Sequence, residues 1–133
     1  MQAQTFAKAE RLHSKKIIQE LFTKGSSFYL HPFKIILLLN PDQTVAQHQI
    51  LISVSKRFFK KAVDRNLLKR RIRESYRKEK ESLQVPSRCV VAFIYTNKSI
   101  LPLSDIQRGM SSSLKKIKQH ASIAIEVGSK PAE

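Results

Sequence analysis

Residues 56–80 constrain this chain more than any other stretch. They hold 12 Lys or Arg (Lys56, Arg57, Lys60, Lys61, Arg65, Lys69, Arg70, Arg71, Arg73, Arg77, Lys78, Lys80) against three acids, Asp64, Glu74 and Glu79. From about 60 to 83 the apolar residues recur with a helical period, and Val85-Pro86 ends the segment, because a residue before proline is driven out of the α region. At about 100° per residue, Leu68, Ile72 and Tyr76 fall within an arc of roughly 80°, while Arg65, Asn66, Lys69, Arg70, Arg73 and Arg77 fill the neighbouring arc. Such a helix cannot be enclosed by a core. It docks through one narrow stripe and turns a cationic flank outward, so the fold has to supply an apolar layer on one side of it.

The other elements can supply that layer. In SKKIIQELFTKG, Ser14 is placed to cap a short amphipathic helix, Ile17, Ile18, Leu21 and Phe22 share a face, and Gly25 is expected to end it in the left-handed conformation. The run 33–39, FKIILLL, is too short and too apolar for a solvent-facing helix and reads as a buried strand closed by Pro41-Asp42. QILISVS (49–55) alternates Ile50, Ile52 and Val54 against Leu51, Ser53 and Ser55, which predicts a second strand, paired with the first as an antiparallel hairpin. CVVAFIYT (89–96) reads as a third strand. Ser104 with Gln107 predicts a capping box for a helix carrying Ile106, Met110, Leu114 and Ile117 on one face. Within SIAIEV (122–127), residues 123–127 alternate and predict a short edge strand. A length of 133 residues fits one domain spanning 1–133, with flexible ends at about 1–10 and 128–133.

Charge sets the class of partner. With 25 Lys+Arg against 10 Asp+Glu the net charge is +15, a self-repulsion expected of a protein whose usual partner is a polyanion. Solvated helix faces usually mix signs, and this one does not. Arginine suits phosphate because its planar fork donates two parallel hydrogen bonds, and Asn66 among the arginines can add bonds to sugars or base edges. The apolar runs, Ile35 to Leu39 and Cys89 to Tyr95, are far short of the roughly 20 residues that span a bilayer, and MQAQTFAKAERL has no apolar signal core. No membrane partner and a cytoplasmic location are expected. The single cysteine, Cys89, reads as a buried reduced thiol.

The stretch Ala62-Val63-Asp64-Arg65-Asn66-Leu67-Leu68-Lys69-Arg70-Arg71-Ile72-Arg73-Glu74 resembles the signature of the bacterial ribonuclease P protein component, A-x-x-R-N-x-x-K-R-x-x-R-E. Ser53-Val54-Ser55-Lys56-Arg57 is similar to that family's strand end and basic turn, and Arg11-Leu12 through Phe22 to Lys24-Gly25 to its first helix, so the similarity covers about residues 11–120. The resemblance implies an α+β two-layer sandwich with a small mixed β-sheet and about three helices, like domain 2 of ribosomal protein S5. It also implies a left-handed βαβ crossover through the basic helix, where general rules favour the right-handed one.

By the same resemblance, Arg65, Asn66, Lys69, Arg70 and Arg73 lie against a catalytic RNA, with Lys56, Arg57, Lys61 and Arg77 extending that surface. The RNA cuts and the protein positions, helping to remove the 5′ leader of precursor tRNA. Mg²⁺ is then bound mainly by the RNA, no organic cofactor is needed, and one protein monomer serves each RNA. The family's leader-binding cleft maps onto Ile18, Phe22, Phe33 and Ile36. Phe22 matches an aromatic position of that cleft but reads equally as a core residue. Ile18 and Ile36 fall where other members often carry aromatics, which implies either weaker stacking in this cleft or stacking on Phe28, Tyr29 or Phe33.

Two other function classes compete with that reading. A nuclease acting alone needs a carboxylate cluster or paired histidines, but the acids are scattered and His13, His31, His48 and His120 lack ligand spacing. A structural RNA-binding protein of ribosomal type, without a role in tRNA processing, fits composition and basic helix equally well; only the motif separates it.

Overall fold

A strand buried on both faces takes the middle of the sheet. The computed structural model describes residues 8–128, with side chains from 9 to 121. Its elements follow in the order α1 (Lys15–Lys24), β1 (Ser26–Leu30), β2 (Phe33–Leu39), β3 (Gln49–Val54), α2 (Ala62–Glu79), β4 (Cys89–Tyr95) and α3 (Leu103–Gly128). In β4, Cys89 to Phe93 are buried without interruption, a pattern that requires cover above and below. The sheet order is β1-β2-β4-β3, with β2 antiparallel and β3 parallel to β4. The hairpin expected between 33–39 and 49–55 is therefore not formed: β4 separates the two strands, and β2 instead forms a hairpin with β1, a strand the sequence reading missed. Residues 40–48 make a long connection, in which buried Asn40 bonds the Gln49 side chain and its N–H donates to Arg88 O.

The two sheet faces carry different loads. Phe33, Ile35 and Leu37 of β2, Ile50 and Val54 of β3, and Val91, Phe93 and Tyr95 of β4 point to one side, where they meet Leu68, Ile72 and Tyr76 of α2 and Ile106, Met110, Leu114 and Ile117 of α3. Those helix residues are the stripes predicted from the sequence. On the opposite face, Ile36, Val90 and Ala92 meet Leu12 and Leu21, with Ile17 and Ile18 of α1 half-buried beside them. The architecture is α+β: a mixed sheet, one full helical layer, and α1 over part of the other face.

Helix ends follow local chemistry, with two departures. Ser14 caps α1, its Oγ accepting the Ile17 N–H. Gly25 is extended (φ −70°, ψ 154°) rather than left-handed. Its requirement is space, since a Cβ would lie 2.5 Å from Leu21 O and 2.7 Å from Ile36 Cγ2. Helix α3 begins at Leu103, and its first backbone bonds run from Asp105 and Ile106 to Pro102 O, so Ser104 sits inside the first turn and makes no capping box. The strand expected at 123–127 is instead the end of α3, because a short alternating apolar run does not by itself distinguish strand from helix. Of the ends expected to be flexible, 1–7 and 129–133 lie outside the described residues, whereas 8–10 form a 3₁₀ turn with Glu10 buried.

Candidate nucleic-acid interface

Helix α2 lies on the sheet through Leu68, Ile72, Ser75 and Tyr76, all buried. That orientation decides the fate of every cation on it, and the cations divide into two groups. Arg65 turns back: its Nη1 donates to Phe59 O (2.8 Å) and Lys60 O (2.9 Å), bracing the loop before the helix. Arg71 Nη1 donates to Leu101 O (2.6 Å) and braces the loop before α3. Arg77 forms a two-pronged pair with Glu74 (Nε to Oε1 3.0 Å, Nη2 to Oε2 2.6 Å), which holds the Glu74 carboxyl below its usual range. Arg77 therefore adds no net charge to the surface predicted for it. Lys80 leaves the face altogether and pairs with buried Glu10.

The second group points outward. Lys56, Arg57, Lys61, Asn66 and Arg70 are exposed, and Lys69 and Arg73 are half-buried along the flank facing β3. There the sequence reading missed a contributor. Residues 10–12 run beside the free edge of β3, with Arg11 bridged to Ile50 and the Leu12 N–H donating to Ile50 O. This sets Arg11 and His13 with Lys69 and Arg73 around a cavity of about 190 Å³. Partial burial, and then repulsion from Arg11 and Arg70, lowers the Arg73 guanidinium from its ordinary value. Cations held this close repel one another, and an anion in the cavity relieves the repulsion. Only the parallel bridge reveals Arg11, because nothing in the local pattern of residues 8–13 announces it.

The cleft residues predicted from the family divide as well. Phe33 is fully buried on the α2/α3 side, in edge contact with Phe93 and Tyr95, and so cannot line a cleft beside α1. Phe28 also faces that side, against His120. Ile36 is buried beneath α1 and Ile18 half-buried. Phe22 is 49% exposed, because Leu21 takes the core position, and the choice between core and surface residue goes to surface. Tyr29, 59% exposed, pairs with Lys34, which pairs with Ile94, which pairs with Ser53, giving one cross-strand row on the α1 face. An exposed aromatic ring thus stands on the sheet face that α1 partly covers, supplied by the strand that the sequence reading missed.

Among the described residues no three His, Cys, Asp or Glu come together to hold a metal ion. Burial pushes the Cys89 thiol up to about 11, so it stays protonated, and lowers His48, whose Nδ1 accepts the Cys89 N–H. Among the described residues no helix is long and apolar enough to cross a membrane.

Fold and surface together define a class: a small α+β domain that presents a one-signed helix face to a polyanion beside a partly covered sheet face. Residues 6–118 match the family model for Ribonuclease P. The ribonuclease P protein component of Porphyromonas gingivalis is 32% identical over 116 residues, covering 84% of this chain and 85% of the relative. The RNase P protein of Staphylococcus aureus superposes with a TM-score of 0.65 at 27% identity (82% of this chain, 95% of that one), and that of Thermotoga maritima with 0.67 at 25% (81% and 97%). The chain belongs to the ribonuclease P protein family. Its role is in tRNA processing, within a ribonucleoprotein, which sets aside the ribosomal alternative.

Arg65→Ala removes two hydrogen bonds from a charged donor, each worth about 1.5–3 kcal/mol. Trypsin cleavage of the free protein after Lys60 and Lys61 is expected to rise at least about tenfold, since cleavage tracks the open population. Unchanged cleavage would mean the loop holds its shape without Arg65.

Proposed function

We propose that this protein binds the catalytic RNA of ribonuclease P through the outward flank of α2 and the loop before it, and that the RNA carries the cleavage. Lys56, Arg57, Lys61, Asn66, Lys69, Arg70 and Arg73, joined by Arg11, meet phosphates of the folded RNA, while Arg65 acts mainly by shaping the surface. The cleft beside α1 takes the single-stranded 5′ leader of precursor tRNA, with Ile18 and Ile36 as apolar floor and Phe22 and Tyr29 as stacking rings. The protein thus raises affinity for precursor over mature tRNA and holds the cleavage site in register. Mg²⁺ belongs to the RNA in this scheme. One monomer serves each RNA, in the cytoplasm, where tRNA precursors are made.

The observation that carries this reading is the one-signed flank of α2, left outward by a helix whose opposite stripe is fully buried. Reconstitution tests it. The protein alone is expected to leave precursor tRNA intact, and to raise cleavage by a bacterial ribonuclease P RNA at low magnesium. Cleavage that persists in stringently purified protein free of RNA would overturn the division of labour.

A further inference from the structure

At the end of the sheet where β3 and β4 finish, two loops are bound into one surface. In loop 55–61, Ser55 accepts the Arg57 N–H on Oγ (3.0 Å) and the Phe59 N–H on its carbonyl (3.1 Å). Phe59 anchors the loop in the core against Tyr95, and Arg65 braces it from beneath. In loop 96–102, the Tyr95 hydroxyl donates to Ser99 O (2.6 Å) and accepts the Leu101 N–H (3.1 Å), while Arg71 holds Leu101 O. The loops meet where Lys98 Nζ stands 5.3 Å from the centroid of the Phe58 ring.

Apart from that cation–π contact, no packing role calls for an aromatic side chain at Phe58. It is 43% exposed, next to a phenylalanine that already fills the core position. Lys56, Arg57, Lys60 and Lys61 flank it along the same loop and Lys98 stands over it, all exposed and, among the described residues, in no salt bridge. An exposed ring framed by unneutralised cations on a braced loop is the arrangement that binds an unpaired nucleotide: the base stacks on the ring and the phosphates meet the ammonium and guanidinium groups. The bracing matters because a ring already held in place loses little conformational freedom when a base stacks on it.

We propose that Phe58 and Lys98 form a stacking site for one unpaired nucleotide, supplied either by the catalytic RNA or by the single-stranded end of the substrate. The site rests on the RNA-binding function proposed above and lies outside the α1 cleft. Lys98 covers one side of the ring, and the base takes the remaining exposed surface or displaces the ammonium onto its own phosphate. Arg65 and Arg71 are positioning residues for this site.

The test uses the reconstituted holoenzyme. Wild-type protein is first titrated with a bacterial ribonuclease P RNA; failure to bind would count against the proposed function itself, before any variant is made. Phe58→Leu is then expected to weaken one of two affinities roughly five- to hundredfold, the range one stacked base is worth, without changing the salt dependence. Loss in protein–RNA binding assigns the nucleotide to the catalytic RNA. Loss only for leader-bearing precursor assigns it to the substrate. Phe58→Tyr should restore the affinity, and Phe58→Trp, in a chain that has no other tryptophan, should lose emission on forming the same complex. The site is refuted if Phe58→Leu, melting as wild type does, leaves both affinities intact, or if the Trp variant binds with unchanged emission.

Discussion

Replacing Lys69, Arg70 and Arg73 together with Ala is expected to lower affinity for the ribonuclease P RNA on the order of a thousandfold and to flatten its salt dependence by two to three in log–log slope. Each lost cation removes a charge-assisted contact worth at least about 1.5 kcal/mol, or tenfold, and each phosphate no longer neutralised removes about 0.7–0.9 from the slope. None of the three belongs to the buried stripe of Leu68, Ile72, Ser75 and Tyr76 through which α2 packs on the sheet. Melting temperature should therefore hold or rise, because removing mutually repelling charges around Arg73 relieves the folded state. Filter binding across a salt series checks both quantities. An unchanged slope would show that the flank makes no phosphate contacts, whatever the affinity does.

Lys80→Met has the largest expected effect on stability. The Lys80 ammonium lies 2.8 and 3.0 Å from the two carboxylate oxygens of Glu10, with side chains only 11% and 2% exposed. Removing the lysine leaves a carboxylate buried without its cation, a change that typically costs about 3–5 kcal/mol, against a total stability of roughly 5–15 kcal/mol for a domain. Urea unfolding should show the loss as a lower midpoint at unchanged m-value. The double variant Glu10→Leu/Lys80→Met should recover most of it, since apolar replacements of similar volume often match a buried ion pair. Recovery in the double variant identifies the stranded charge as the cause, and equal loss in both variants would instead point to shape. The pair also ties the 3₁₀ turn at 8–10 to the end of α2, and that turn leads directly into Arg11, so the single variant should weaken RNA binding as well.

Much of the candidate surface was legible in advance because charge and period are local properties. Leu68, Ile72 and Tyr76 recur at helical spacing, so their common burial and the outward turn of Asn66 and Arg70 follow from 3.6 residues per turn. The apolar stripe of α3 and the Ser14 cap are equally local. Strand partners are not. FKIILLL and QILISV are compatible with a hairpin, and what separates them is the double-sided burial of β4, a property of three strands and two layers at once.

The sequence by itself determined that one helix would carry a concentrated positive charge on one side, and that a family motif lay along it. Only the tertiary structure decided which cations remain available. Arg65, Arg71 and Arg77 look equivalent to Arg70 in a string of letters, yet three of the four are engaged by carbonyls or a carboxylate that the fold brings within hydrogen-bonding reach. The aromatics sort the same way: Phe33 goes to the core and Tyr29 to the open face because adjacent strand residues alternate sides and pairing fixes the alternation. Periodicity is written along the chain, whereas the choice of partner for a polar or aromatic group depends on what folding sets beside it.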